Sequence, residues 1–375
     1  MSEIRLSKSC IGAEEKAAVM RVLDKGFLGM GQEVMAFEEE LSDFFKRPTV
    51  CVVNGTAALQ LALEAADIGF GDEVLVQSLT YVASFQAIRA AGAVPVACDV
   101  NLSTVGIDLD DAANKITSKT KAIMPVHYAG GVGDLDAIYD FSKIYGLRVI
   151  EDAAHAFGTM YKGSKVGNLG DIVCFSLDGI KNITSGEGGC IVTNDQSILD
   201  RVKDSRLLGV KKDSEKRFSG KRSWDPDVER QGWRYHMSDI MAAIGRVQLA
   251  NFDYHKSQRQ TLAKYYVKKL KEVDSISIFV HDYNDVVPHI FVIQLDLEID
   301  RMKLIKFLSD KDIPVGIHYK PNHELSYFRN VNIESLKNTD LISGHLLTLP
   351  LHPEITEKNI DWIVSSLIMG IKNNA

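Results

Sequence analysis

The sequence predicts an α/β protein: a doubly wound, mostly parallel sheet domain followed by a smaller C-terminal α/β domain. Three observations predict it. Between about residues 50 and 200, short apolar runs alternate with amphipathic segments. The apolar runs are rich in Val and Ile, the composition of strands covered on both faces. Beyond about residue 246 a second strand–helix mixture runs to the C-terminus.

The elements follow in order. TVCVVN (49–54) reads as a strand, and GTAALQLALEAAD (55–67) as a helix entered through a turn of small residues. DEVLVQ (72–77) is the next strand, and SFQAIRAAG (84–92) a helix closed by Gly92. VPVACDV, AIMPVHY, LRVIED, DIVCFSL and GCIVTND are further strand candidates, with FSKIYG in a helix between two of them. Residues 210–231 are polar, mixed in charge and without periodicity, so they read as a long loop. Residues 238–270 read as one or two long helices. The strand–helix mixture of the tail comprises ISIFV, HIFVIQLDL, MKLIKFLSDKD and PVGIHY. No Pro/Gly-rich linker marks a border, and the division is drawn as 1–245 and 246–375.

Composition narrows the function. The chain has 375 residues, 45% hydrophobic and 25% charged, which suits a soluble enzyme with a core of several layers. Its net charge of -7 argues against a general binder of nucleic acid or membrane surfaces. The five cysteines are scattered and form no CxxC pair, so neither a disulfide framework nor a metal centre is expected. Cys51, Cys98, Cys174 and Cys190 lie in apolar runs and read as buried thiols. The N-terminus shows no apolar signal region, and no stretch approaches a membrane span of ~20 apolar residues. A cytoplasmic location is expected.

Ligands of doubly wound sheets sit beyond the carboxyl ends of the strands, and four groups fall there. Gly55, Thr56 and Ala57 open a helix after a strand; free N–H groups and a hydroxyl suit a phosphate, although a bare helix cap explains them too. Asp152 ends a buried run, where a carboxylate can hold a cationic ring nitrogen or cap a helix. His155 follows three residues later. Tyr81, at a strand-to-helix turn, can stack on a planar ring or join the core. In FSLDGIKNITSGEGG, Ser176 ends a strand and Lys181 follows five residues on. A neutral lysine amine condenses with an aldehyde, which requires its pKa to fall from ~10.4 through burial or a neighbouring cation. A phosphate site, a ring-nitrogen carboxylate, a stacking aromatic and a lysine are the parts needed to hold pyridoxal phosphate.

Taken in order, these stretches resemble the DegT/DnrJ/EryC1/StrS family of sugar aminotransferases. The resemblance runs nearly end to end, through LSKSCIGAEEKAAVMRVLDKGFLGMGQEVMAFEEEL, NGTAALQLAL, GDEVLVQSLTYVAS, VIEDAAHAFG, FSLDGIKNITSGEGGCIVTND and WRYHMSDIMAAIGRVQL. It implies fold type I, the aspartate-aminotransferase fold, as a homodimer with active sites at the interface. Lys181 matches the Schiff-base lysine, and Asp152 the partner of the pyridine nitrogen. His155 matches the residue near the ring hydroxyl and Tyr81 the stacking aromatic. Thr56, Ala57 and Ser176 match the phosphate cradle. Arg234 stands where many members carry an asparagine that reaches the partner subunit's phosphate; a guanidinium suits that role. His318, Tyr319 and His323 match a segment bordering the sugar site.

The resemblance implies L-glutamate as amino donor and a nucleotide-linked ketosugar as acceptor, by family habit a 4-keto-6-deoxy sugar for surface polysaccharide or another glycan. The alternatives are a 3-keto sugar aminotransferase or a dehydratase. Relatives that remove a hydroxyl carry histidine in place of the lysine, so Lys181 favours transamination. A nicotinamide dehydrogenase should show GxGxxG after a strand, but GGVGDLDA has Asp136 at the third glycine. An inactive sensor would not need both Lys181 and Asp152.

Overall fold

In a computed structural model of the chain, residues 3–211, 213, 227–329 and 336–374 are described. Most of the 210–231 stretch read as a loop lies outside the described residues.

Two helices, α1 (Ala13–Lys25) and α2 (Gln32–Phe45), precede the first strand, β1 (Thr49–Val52). Strands and helices then alternate: α3 (Gly55–Ala65), β2 (Glu73–Gln77), α4 (Val82–Ala90), β3 (Val94–Cys98), α5 (Leu109–Asn114), β4 (Thr120–Met124), α6 (Leu135–Tyr145) and β5 (Arg148–Asp152). A small hairpin, β6 (Met160–Tyr161) and β7 (Ser164–Lys165), leads to β8 (Ile172–Ser176), β9 (Gly189–Thr193) and α7 (Gln196–Ser205). Carboxylates and amides start several of these helices, because a helix leaves its first N–H groups without partners. Asn54 caps α3, Asp134 caps α6 and Asp195 caps α7. Gly146 ends α6 with φ 66°, a left-handed conformation that glycine adopts without a steric penalty.

The large sheet has seven strands in the order β1-β9-β8-β5-β4-β2-β3. Only β9 runs against the others: it pairs antiparallel with β1 and β8, while β8, β5, β4, β2 and β3 pair parallel. Side chains alternate faces along each strand, so both faces are apolar. In β8, Ile172 and Cys174 join the cluster beneath α3, α4 and α7, whereas Val173 and Phe175 join the one with α2. The four cysteines expected to be buried thiols are free and buried. Each fully buried Val, Ile or Phe contributes about 1.5–3 kcal/mol.

Residues 238–270 form two helices, Asp239–Ala250 and Phe252–Leu270, separated at Asn251. A second sheet of three antiparallel strands follows: β10 (Ile276–Ile278), β11 (Phe291–Leu295) and β12 (Leu346–Leu349). Helices Arg301–Ser309 and Glu357–Asn374 pack on it. Two details differ from the sequence reading. AIMPVHY stops as a strand at Met124, because Pro125 has no N–H for a ladder. PVGIHY forms no strand, only an antiparallel bridge from Gly316 to Thr348 beside β12 at the sheet edge.

The topology brings one edge of the large sheet together. With β9 reversed, the carboxyl ends of β1, β2, β5 and β8 and the start of β9 share that edge. It therefore collects Gly55, Tyr81, Asp152, Ser176 and the loop that carries Lys181.

Candidate active site

Lys181 lies in the connection from β8 to β9. Hydrogen bonds fix this loop at both ends: Leu177 N–H to Gly188 O at 2.7 Å and Ser185 N–H to Leu177 O at 2.8 Å. At its centre the Lys181 N–H donates to Asp178 O at 3.0 Å, and Asn182 Nδ2 reaches the carbonyls of Phe157 and Val287 at 3.2 Å each. The residue as a whole is half-buried, but its amine is enclosed, 3.3 Å from His289 Nε2. Burial lowers the pKa of the amine to about 8, although Asp152 and Asp178 pull it back up. This is the drop that a nucleophilic lysine requires.

Asp152 is buried at the end of β5. Its Oδ2 accepts from Ser84 Oγ at 2.7 Å and its Oδ1 from the Ala154 N–H at 3.2 Å. Burial raises its pKa, against the pull of those bonds and of Lys181 and His127. The following residues form turns, so Asp152 caps no helix. Glu151, on the opposite face, is bonded to His127 Nε2 at 2.8 Å and Tyr139 Oη at 2.5 Å.

His155 is buried beside both groups. The Ala129 N–H donates to its Nδ1 at 3.3 Å, which places the proton of the neutral ring on Nε2. That Nε2–H donates to the Tyr319 oxygen at 3.1 Å. Burial and the nearby Lys181 hold His155 well below its ordinary pKa, so the ring stays neutral. Tyr319 in turn packs against Tyr81, ring centroids 5.5 Å apart, and Tyr81 is 55% exposed at the start of α4.

Gly55, Thr56 and Ala57 form the first turn of α3, facing Ser176. The Ala57 N–H is already taken by Asn54 Oδ1 at 2.8 Å, so the N–H groups of Gly55 and Thr56 are the ones left to an anion. His318 Nδ1 is bonded to Thr348 Oγ1 at 2.8 Å. His323 Nδ1 is bonded to Ser78 Oγ at 2.7 Å, three residues ahead of Tyr81. Neighbouring Asn322 donates to the carbonyls of Ser78 and Thr80 at 3.0 and 2.8 Å, so this segment steadies the Tyr81 turn. Arg234 is exposed and bridged to Leu207 through its backbone; it is not part of the bonded cluster among the described residues.

The sequence reading missed Ser84, His289 and Asn322. Ser84 carried a signal, since it lies one helical turn after Tyr81. His289 and Asn322 carried none, because their partners are distant in the chain.

The model of the DegT/DnrJ/EryC1/StrS aminotransferase family matches residues 9–368. The chain belongs to this family. Its fold is similar to that of a putative sugar aminotransferase from Streptococcus pneumoniae in its PMP-form, with TM-score 0.90, 28% identity, and 99% of this chain and 98% of that one covered. It is similar to Helicobacter pylori PseC, an aminotransferase involved in the biosynthesis of pseudoaminic acid (TM-score 0.92, 25% identity, 99% and 100% covered). It is also similar to DesV from S. venezuelae (TM-score 0.87, 31% identity, 95% and 94% covered). The protein is a fold type I, pyridoxal phosphate-dependent sugar aminotransferase.

The donor set fits that cofactor. A Cβ on Gly55 would collide with Ser176, so the start of α3 lies this close to the end of β8 only because position 55 is glycine. The buried Asp152 carboxylate has two neutral donors, and a cationic ring nitrogen would supply the opposite charge that a buried carboxylate favours. The amine of Lys181 is enclosed at the same edge.

Proposed function

We propose that the protein moves the amino group of L-glutamate to a nucleotide-linked ketosugar, a 4-keto-6-deoxy sugar, in the cytoplasmic building of a surface polysaccharide or other glycan. The observation that carries this reading is the enclosed Lys181 amine, held near neutrality at the strand edge that ends in Asp152. The role of PseC in pseudoaminic acid biosynthesis supports a glycan-building pathway.

Bound pyridoxal phosphate supplies the aldehyde that receives the amino group and the ring that stores an electron pair when a C–H bond breaks. Lys181 anchors that aldehyde, then uses Nζ to take the proton from the donor's α-carbon and to return it on the acceptor. Asp152 keeps the ring nitrogen protonated by opposite charge. His155, whose Nε2–H is held by Tyr319, would lie near the ring hydroxyl, and Tyr81 would cover a ring face. The N–H groups of Gly55 and Thr56, with Ser176, bind the phosphate. The Ala57 turn shapes that cradle. His318, Tyr319 and His323 border the sugar. Residues 1–245 act as the cofactor unit and 246–375 as the smaller unit.

We place Arg234 against the phosphate of a second copy in a homodimer. Met20, Leu23, Phe27 and Leu28 support such a partner, because these apolar side chains of α1 and its following turn are exposed. The basic residues of 211–222, readable equally as partners of the diphosphate or as a solvated surface, lie outside the described residues except for Lys211.

The test is addition of L-glutamate to the protein loaded with pyridoxal phosphate. Loss of the bound-cofactor absorbance with about one 2-oxoglutarate per site is expected. Absorbance that persists without 2-oxoglutarate would refute glutamate as donor.

A further inference from the structure

We propose that His289 is a positioning residue for Lys181: its Nε2–H donates to the lone pair of the free lysine amine and so favours the neutral form of that amine over the ammonium. The proposal rests on the reading of Lys181 as the cofactor lysine.

His289 lies just ahead of β11, 108 residues along the chain from Lys181, and is 3% exposed. Its Nε2 is 3.3 Å from the Lys181 amine, while its Nδ1 is buried with no hydrogen-bond partner among the described residues. The ring is packed 4.4 Å from that of His155, centroid to centroid.

The backbone on both sides is clamped by one buried side chain. Arg259, on the helix Phe252–Leu270, donates through Nη1 to His289 O at 3.1 Å and to Pro288 O at 3.4 Å. Through Nη2 it reaches the carbonyls of Ile180 and Lys181 at 3.4 Å each. The His289 N–H donates to Ala129 O at 3.2 Å. The two side chains are therefore held in register by the backbone.

A neutral imidazole carries one N–H. Burial above all, with the nearby Arg259 guanidinium, keeps His289 neutral. With the proton on Nδ1, the ring would leave an orphaned N–H in the interior, which native proteins nearly always avoid. With the proton on Nε2, only a lone pair is left over, and Nε2–H points at Lys181. A donor facing the amine favours its neutral form, since an ammonium has no lone pair to accept with. The other groups facing that amine are Asp152 from β5, Asp178 from its own loop, Arg259 from the long helix, and His155 and His318. Asp152 and Asp178 favour the ammonium; His289 and Arg259 oppose them.

Two measurements on the full chain test this. Both use the cofactor-free form and the form loaded with pyridoxamine phosphate, in which Lys181 keeps a free amine. The first is competitive acetylation of Lys181 against pH, read by mass spectrometry. In His289→Phe the midpoint is expected to rise by about half a unit, roughly a threefold loss of reactivity at neutral pH. In His289→Gln, which keeps an N–H donor, it is expected to stay near the wild-type value. A midpoint in His289→Phe that stays put or falls, as added apolar burial alone would produce, overturns the proposal. The second needs no variant fold: 15N–1H correlation of the histidine rings in the wild-type protein. A His289 proton on Nε2 is expected, and one on Nδ1 overturns the proposal. Neither readout depends on turnover, so a failed transaminase assay would leave both standing.

Discussion

Gly55 and Ser176 approach so closely that a Cβ on Gly55 would lie 2.8 Å from the Ser176 Cβ and 3.2 Å from its Cα. The clash is with atoms fixed to β8, not with the end of a flexible side chain. Gly55→Ala must therefore push the start of α3 away from the end of β8. The expected cost is about 1–3 kcal/mol of stability. A larger relative effect is expected on pyridoxal phosphate affinity, because the two N–H groups move off the phosphate. A cofactor titration followed by absorbance, beside a thermal melt, checks both.

Asp152 is buried with a raised pKa, so its folded form holds a proton more tightly than the unfolded chain. The stability it contributes is present at low pH and is lost as pH rises through the folded pKa. The cofactor-free Asp152→Asn variant is thus expected to melt higher than wild type at neutral pH. The gap should shrink as pH falls toward the ordinary carboxylate range. Its aminotransferase activity is expected to fall by roughly 100-fold or more, the scale for losing one preorganised electrostatic partner. Higher stability with lower activity would mark the residue as functional.

Lys181 follows the opposite titration. Its folded pKa is about 8, below the ordinary lysine value of 10.5, so the unfolded chain binds the extra proton between those values. The cost of burying the ammonium is full below pH 8 and disappears as pH rises toward 10.5. Without cofactor, Lys181→Met should exceed wild type in stability by up to about 3 kcal/mol at pH 7. Urea titrations from pH 7 to 10 should show that margin narrowing.

Glu38 of α2 and Arg206 at the end of α7 form a buried ion pair, and both bond to Cys51 of β1. Glu38 Oε1 also accepts from the Cys51 N–H at 2.8 Å, and Arg206 Nη1 donates to Cys51 O at 2.6 Å. Glu38→Ala leaves a buried guanidinium without its carboxylate and should cost about 3–5 kcal/mol. A lower urea midpoint at an unchanged slope is the expected signature.

The large sheet was legible because its strands are buried on both faces, so each is a short Val/Ile run such as IVCFS or EVLVQ. The position of Asp152 and Lys181 at strand ends followed from the same runs. What stayed hidden depends on contacts between distant segments. Arg259 reads as one more charge in the polar helix sequence HKSQRQ, yet it is fully buried against two carbonyl pairs. His289 looks like the edge of an apolar strand, and only the fold carries it to Lys181. Asn54 looked like the last residue of a strand, although its side chain takes the Ala57 N–H. β12 was not read as a strand from the sequence; it pairs with β11, while PVGIHY reaches the sheet only through a bridge to β12.

The central claim is amine transfer to a nucleotide-linked ketosugar, and isotope-traced mass spectrometry tests it most directly. The protein, with pyridoxal phosphate and 15N-labelled L-glutamate, is incubated with a panel of nucleotide-linked 3-keto and 4-keto sugars. The account predicts a 15N-aminated 4-keto-6-deoxy member, formed many times per chain and absent with Lys181→Ala. Sugars returned unchanged across the panel, or dehydrated without 15N, would contradict it.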